Sequence, residues 1–484
     1  MTNSPAHDDA SRRRWWVAGD PRLSTWARRL ILLLTAGLVI ALPLAWVGSQ
    51  YEGKDIGASL SYPAKDGWCH VGYTAPGFGI HCFGDYAQGV VGAQVDFGLP
   101  GAPLPESIPG ISPGEVYTSL YPPIGQFPHV ASALAANSDF GRERTFYTYM
   151  ILLALAVFAP SVWAAWRWRR SPFLIVPVIL IGVAAVPVFA MLDRGNSAGF
   201  VVPFVLAFAV LLGRDPPWAA PAAVVGAALV RPQFILLAVG LFAVRQWRRA
   251  LAAAAAFAVI TVASFALMPS GFSAAFGSWY GRLSNLNTAG AGSVARDTPA
   301  NPSIARSATA AAGWLSNAPS FIGEWAASTM ERFVSTPLLP VAILLLITAV
   351  LFIMAAGSVP RSIAVVIPLG LASLAPGVTP VYYLMFTVVI AALILTDAPG
   401  DGDAFLVDGA SWWTRAWGWI LIVAVALSIT PITLAGDTPE GGPLPRHSYI
   451  LENIGRLWLL VLLVAFAVLV AHMINRRRSR ATMP

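Results

Sequence analysis

Long apolar runs separated by short polar turns dominate this chain. The first is Leu30 to Val47, and it follows a tryptophan- and arginine-rich head. Further runs are Phe146–Trp166, Pro172–Leu192, Ala198–Leu212, Ala250–Met268, Pro337–Ala356, Ser362–Leu374, Val381–Thr396, Trp417–Leu434 and Leu457–Ile474. Most approach the roughly 20 apolar residues needed to cross a bilayer as a helix. The stretch Trp218 to Val244 is different, because Arg231-Pro232-Gln233 interrupts it. As one span it would put Arg245, Arg248 and Arg249 outside, against the positive-inside rule. Two short spans put them inside, with Arg231 near the outer face. A proline break of that kind suits a cavity and not lipid. The pattern therefore predicts an all-α polytopic membrane protein of about 12 transmembrane helices, with both termini cytoplasmic.

Two polar segments stand apart. Residues 48–145 and 269–336 lack long apolar runs and fall outside, as external segments of short helices and turns. The chain thus divides into a cytoplasmic arm (1–29), a membrane body with two external loops (30–400), and C-terminal helices with a basic cytoplasmic tail (401–484). Composition agrees. The 484 residues are 56% hydrophobic and 11% charged, where soluble domains carry about 25% charged residues. The net charge of +7 gathers on the side assigned as cytoplasmic, so it reads as membrane orientation and not as nucleic-acid binding. No Walker loop or dinucleotide fingerprint is present.

The external stretch Gly79 to Pro123 holds the first candidate chemistry. Asp85 stands there between Gly84 and Tyr86. A carboxylate at a membrane-surface pocket can act as general base toward a hydroxyl. The plainer reading is a cap on a helix starting at Tyr86. Tyr121-Pro122-Pro123 follows, and could dock the loop on the membrane body. Cys69 and Cys82 bracket a short loop on the oxidising face, where a disulfide would contribute about 3 kcal/mol. Free thiols, or a metal site with the neighbouring His70 and His81, stay open, although the spacing is not that of a usual zinc site.

Three further clusters fall on the same face. Asp193-Arg194-Gly195-Asn196 opens an apolar helix, either as an ordinary capped turn or as a polar cluster facing sugar hydroxyls. Arg231 is a cation inside an apolar stretch, which is costly and usually functional. It can fork onto phosphate oxygens, or snorkel to the interface. Asn301 and Ser303 sit in the second external segment, with Arg296 and Arg306 near them. Proline at 302 rules out a glycosylation acceptor there.

Taken in order, these motifs resemble the GT-C superfamily of membrane glycosyltransferases, specifically its family 87 branch. That branch includes polyprenyl-phosphate-mannose-dependent mannosyltransferases and a branching arabinofuranosyltransferase. The resemblance covers about residues 30 to 400. It implies a GT-C helical bundle and sugar transfer from a polyprenyl-phosphate-linked donor to a glycolipid or polysaccharide acceptor, on the outer face of the plasma membrane. Mannose is the first expectation for the sugar and arabinofuranose the second. Asp85 would be the base, with Tyr86, Tyr121, Asp193, Arg194, Asn196, Arg231, Asn301 and Ser303 binding substrate. No cofactor is implied, and dependence on a divalent metal stays open. The chain departs from the family where Arg231 replaces a more usual lysine and Pro302 a more usual glutamine. Its first loop is also longer. The rival readings are a transporter or flippase for a lipid-linked glycan, and a polymerase or ligase. Few charges within the spans and no internal repeat argue against a transporter.

Overall fold

A computed structural model describes residues 23–52, 83–100, 121–168, 184–214, 216–285, 338–374, 381–397, 404–406, 411–430, 434–435, 446–447 and 449–481, with Gly182 and Ser303 as single residues. Cys69, Cys82 and Asn301 lie outside the described residues.

The described chain is all-α, apart from a two-residue antiparallel pair, Leu434–Ala435 with Arg446–His447. Among the described residues, five helices are long and apolar enough to cross a membrane. Their cores lie in α1 (Thr25–Glu52), α4 (Arg142–Arg167), α9 (Trp247–Phe265), α14 (Trp412–Ile429) and α15 (Tyr449–Ala481). Shorter apolar helices fill the interior, among them α6 (Val202–Leu211), α7 (Ala219–Val230), α11 (Leu338–Met354), α12 (Arg361–Leu374) and α13 (Phe386–Leu395). The protein is therefore a polytopic helical membrane protein.

Which helices sit centrally follows from their composition. A helix that is apolar on every face must be covered on every face. The sequence of α13, FTVVIAALIL, is of this kind, and all ten residues are buried. Every residue of α12 from Ser362 to Leu374 is buried as well. The peripheral helices keep one apolar face outward, as Leu155 on α4 (66% exposed) and Val259 on α9 (67% exposed) show. In a bilayer those faces meet lipid.

Polar side chains tie the bundle together. The Trp417 indole donates to Ser362 Oγ at 3.0 Å, joining α14 to α12. The Trp458 indole donates to Ser428 Oγ at 3.0 Å, joining α15 to α14. Such bonds between membrane helices are worth about 0.6–2 kcal/mol each. Arg361 Nη2 donates to the carbonyls of Ala209 (2.8 Å) and Val210 (3.1 Å) at the end of α6. Those carbonyls have no partner of their own within the helix.

The interrupted stretch 218–244 is broken in two at Arg231. Helix α7 ends at Val230, Arg231 is extended (φ −139°, ψ 107°), and a 3-10 helix over Pro232–Val239 runs into the one-turn α8 (Gly240–Ala243). Proline excludes the residue before it from the helical region, which places the break at Arg231. Several boundaries move from their expected places: α15 starts at Tyr449, eight residues before Leu457, and α4 at Arg142, four before Phe146. Helix α1 starts at Thr25, five residues before Leu30, and α14 starts at Trp412, five before Trp417. Both gain a polar or aromatic first turn that hydropathy alone does not count.

Three short helices stand beside this bundle: α2 (Gly84–Phe97), α3 (Phe127–Ala136) and α10 (Phe272–Asn285). They meet through Asp96 on α2. Its carboxylate accepts from Gln126 Nε2 at 2.9 Å and pairs with Arg282 Nη1 on α10 at 3.4 Å. Helix α3 packs on α2 at Gly89, where a Cβ would clash with the His129 ring. His129 is itself 5% exposed and stacks on Tyr149, so the ring has nowhere to go. Gly89→Ala is expected to cost about 1–3 kcal/mol, the usual penalty of overpacking. A lowered thermal unfolding midpoint in detergent would show it, and an unchanged midpoint would refute the close approach.

Candidate functional site

The site forms where four chain breaks converge. Helix α5 (Val186–Arg194) ends at Gly195, which adopts the left-handed conformation (φ 63°). The amides of Gly195 and Asn196 turn back to the carbonyls of Leu192 and Met191, closing the helix. A residue with a side chain could not stand there, because a Cβ at Gly195 would lie 2.8 Å from Tyr86 Cβ. Asn196 is then extended and caps the 3-10 helix Ser197–Val201, its Oδ1 accepting from the Ala198 amide at 2.8 Å. The chain thus places Asn196 between two helix ends, with its amide group inside the bundle (5% exposed).

Helix α2 is hooked onto the same junction. The Phe83 amide donates to the Asp193 carbonyl at 2.7 Å, and the Tyr149 hydroxyl to the Gly195 carbonyl at 2.9 Å. Phe83 sits at φ 39°, an uncommon conformation for a residue with a side chain. Its ring is held edge-on against Phe146 at 4.9 Å. This turn aims Asp85 at the junction. Here the expected helix cap needs correcting. Helix α2 begins at Gly84, not Tyr86, and its cap position is Phe83, so Asp85 lies in the first helical turn and caps nothing. It is half-buried. Its Oδ2 accepts from Asn196 Nδ2 at 2.8 Å, and its Oδ1 accepts nothing among the described residues.

Asn196 also faces the other way. Its Oδ1 accepts from Arg231 Nη2 at 2.7 Å, and its Nδ2 donates a second bond to the Tyr382 hydroxyl at 2.9 Å. Arg231 Nη2 donates further to Ser197 Oγ at 2.9 Å. The guanidinium is 1% exposed and lies 3.8 Å from the centre of the Tyr121 ring. No carboxylate among the described residues is within ion-pair distance of it, and its Nε and Nη1 are buried without a hydrogen-bond partner. A buried cation in that condition is costly unless an anion reaches it. His129 adds no second charge nearby. Burial, with the Arg231 charge next in weight, pushes its imidazole down to about 3, so it is neutral at ordinary pH.

The other expected site residues distribute unevenly. Tyr121 is at the site, its ring over Arg231. Tyr86 turns into an aromatic cluster with Phe146 and Tyr149, at 5.4 Å and 4.6 Å. Asp193 is buried and holds α2 through its backbone carbonyl. Arg194 is half-buried, within electrostatic range of Tyr382. Ser303 is buried. Sequence reasoning missed Tyr382, Tyr383, Gln233 and Ser197. Gln233 Nε2 donates to the Tyr383 hydroxyl at 3.3 Å. Two adjacent tyrosines at the head of an apolar run were the available signal, but hydropathy reads them as part of the span. Behind Tyr382 and Tyr383 lies a small apolar crevice, lined also by Met191, Val202, Phe234 and Val389. Among the described residues, no group of three or more His, Cys, Asp or Glu could hold a metal ion.

The arrangement can do two things at once. It presents a carboxylate oxygen to an incoming hydroxyl, and it holds a cation with spare donors a few ångströms away. Compared with known proteins, the chain matches the sequence model of glycosyltransferase family 87 over residues 119–362, half of its length. No curated protein and no solved structure matched it.

Proposed function

The chain belongs to glycosyltransferase family 87, and from that premise we propose that it is an inverting transferase using a polyprenyl-phosphate-linked sugar. The observation that carries this reading is the Asp85–Asn196–Arg231 arrangement. One amide joins a carboxylate with an unused oxygen to a buried guanidinium with two unpartnered nitrogens. Asp85 takes the proton of the acceptor hydroxyl. The acceptor oxygen attacks the anomeric carbon from the face opposite the phosphate. The carbon–oxygen bond to phosphate breaks, and polyprenyl phosphate leaves with the electron pair. Arg231 stabilises the charge that develops there. Because the Tyr121 ring covers Arg231, donor binding includes displacement of that ring.

The lipid part of the donor suits an integral membrane protein whose outer helices keep apolar faces exposed. The active site faces outward at the plasma membrane, with the termini cytoplasmic and the acceptor a glycolipid or polysaccharide. This topology rests on the arginine distribution. Mannose is the favoured sugar and arabinofuranose the next.

Washed membranes containing the protein should transfer label from polyprenyl-phosphate mannose to endogenous acceptors. Polyprenyl-phosphate arabinofuranose and polyprenyl-phosphate glucose serve as comparisons. Transfer from none of the three, or movement of labelled lipid across the bilayer without transfer, would overturn the assignment and favour a flippase.

A further inference from the structure

Asn196 was expected to bind substrate, yet its side chain has no capacity left for one. An asparagine amide offers two donor hydrogens and two acceptor lone pairs. Here both hydrogens are used, to Asp85 and Tyr382, and both lone pairs, by Arg231 and the Ala198 amide. The group is 5% exposed. It cannot turn without breaking all four bonds, and its O and N assignment is fixed by its neighbours, since a flipped amide would point N–H groups at Arg231 and Ala198.

The charges it separates matter more than the bonds. Asp85 and Arg231 are the carboxylate and the guanidinium of this centre, and they do not touch. Left to themselves, such groups would close into a forked ion pair. That pair would occupy the carboxylate oxygens needed by a hydroxyl and the N–H groups needed by an anion. A neutral amide inserted between them lets each group feel the other through a dipole while the carboxylate keeps an unused oxygen and the guanidinium unused donors. Ser197 Oγ and the Tyr121 ring hold the guanidinium from its own side, so it does not swing toward Asp85.

We infer that Asn196 is a positioning residue that keeps Asp85 and Arg231 apart, each hydrogen-bonded to it and each left with bonding capacity unused: one oxygen of Asp85, and Nε and Nη1 of Arg231. This rests on the function proposed above, and it adds what that reading lacks: a reason why the base and the phosphate ligand do not neutralise one another. The sequence Gly195-Asn196-Ser197 builds the device, with Gly195 ending one helix, Asn196 bridging, and Ser197 fixing the cation.

The test is the pH dependence of kcat/KM for sugar transfer. Several titratable groups face Asp85 or stand on elements packed against α2. They are Tyr86 beside it, His129 on α3, Tyr149 on α4, Asp193 and Arg194 at the end of α5, and Tyr382, with Tyr121, Tyr383 and Arg231 beyond Asn196. Tyrosine and arginine ionise on the alkaline side, and His129 is neutral throughout the assay range. Asp193 is unchanged in every variant used. Asn196→Ser removes the bridge without adding charge, and Asn196→Asp replaces it with a like charge. Loss of a donor and gain of a neighbouring negative charge both disfavour an ionised carboxylate. The acidic limb should therefore move to higher pH, by about one pH unit for the serine variant and further for the aspartate variant. Ser197→Ala removes the hydroxyl that holds Arg231 and also meets Tyr149, leaves the Asp85–Asn196 bond intact, and should raise the donor KM a few-fold while leaving that limb in place.

Unfolding midpoints of the purified variants separate misfolding from mechanism. If Asn196→Asp is not recovered folded, the serine variant decides alone. Inactive Asp85→Asn together with folded Asn196 variants that keep the wild-type acidic limb would overturn this inference and leave the proposed function standing. Active Asp85→Asn would instead remove the base assignment, and the positioning role with it.

Discussion

Asp85→Asn is expected to lower the rate of sugar transfer by about 10²–10⁴-fold, the usual contribution of a general base. The substitution keeps the shape of the side chain and removes only its ability to take a proton. Asn196 Nδ2 can still donate to the new carbonyl oxygen, so the junction of α2 with α5 should hold. The aromatic contacts of Phe83 and Tyr86 are untouched. An unfolding midpoint near that of the wild type is part of the expected result. The donor KM should change little, because Arg231 lies on the far side of Asn196. A folded variant with near wild-type turnover would exclude Asp85 as the base.

The second large effect is expected at Arg231, and it has an unusual sign in stability. Arg231→Met removes the charge while keeping much of the side-chain volume. Loss of a preorganised donor to a developing oxyanion typically costs about 10²–10³-fold, and here it should appear mainly in kcat/KM for the donor. Stability should move little, or upward. The guanidinium is buried with two unpartnered nitrogens and, among the described residues, no carboxylate partner. Replacing a buried charge in that state by an apolar side chain is often neutral or stabilising. Arg231→Lys keeps the charge and should retain more activity than the methionine variant. Assays across donor concentrations, paired with unfolding midpoints, read both effects. A methionine variant that unfolds early with an unchanged donor KM would make Arg231 a structural residue.

These two residues were open to sequence reasoning for opposite reasons. Arg231 breaks a hydrophobic pattern, and a cation before proline within an apolar run needs no fold to be noticed. Asp85 breaks no pattern, because it stands in a polar loop where carboxylates are common. Its apparent role as a helix cap was wrong, since Phe83 and not Asp85 occupies that position. A left-handed Phe83 is not readable in advance, because it is paid for by ring packing against Phe146, a residue some sixty positions away.

Asn196 shows the same limit. As part of Asp-Arg-Gly-Asn it reads as a turn and a cap, and it is a cap. That the same side chain also bridges Asp85 and Arg231 depends on bringing residues 85, 196, 231 and 382 to one point. Tyr382 and Tyr383 were passed over because hydropathy scores a tyrosine by its ring, while their use here is through the hydroxyl.

By itself the sequence determined the class of protein, the helical character of the apolar runs, the break at Arg231 and the family. All follow from local chemistry: the length of apolar runs, the geometry of proline, and the order of short motifs. Only the tertiary structure decided which polar groups meet, and which of them are left with bonds unmade. That depends on helix ends from distant segments converging in a low-dielectric interior. There the position of one amide settles whether a carboxylate and a guanidinium stay available or cancel, and no local pattern records that position.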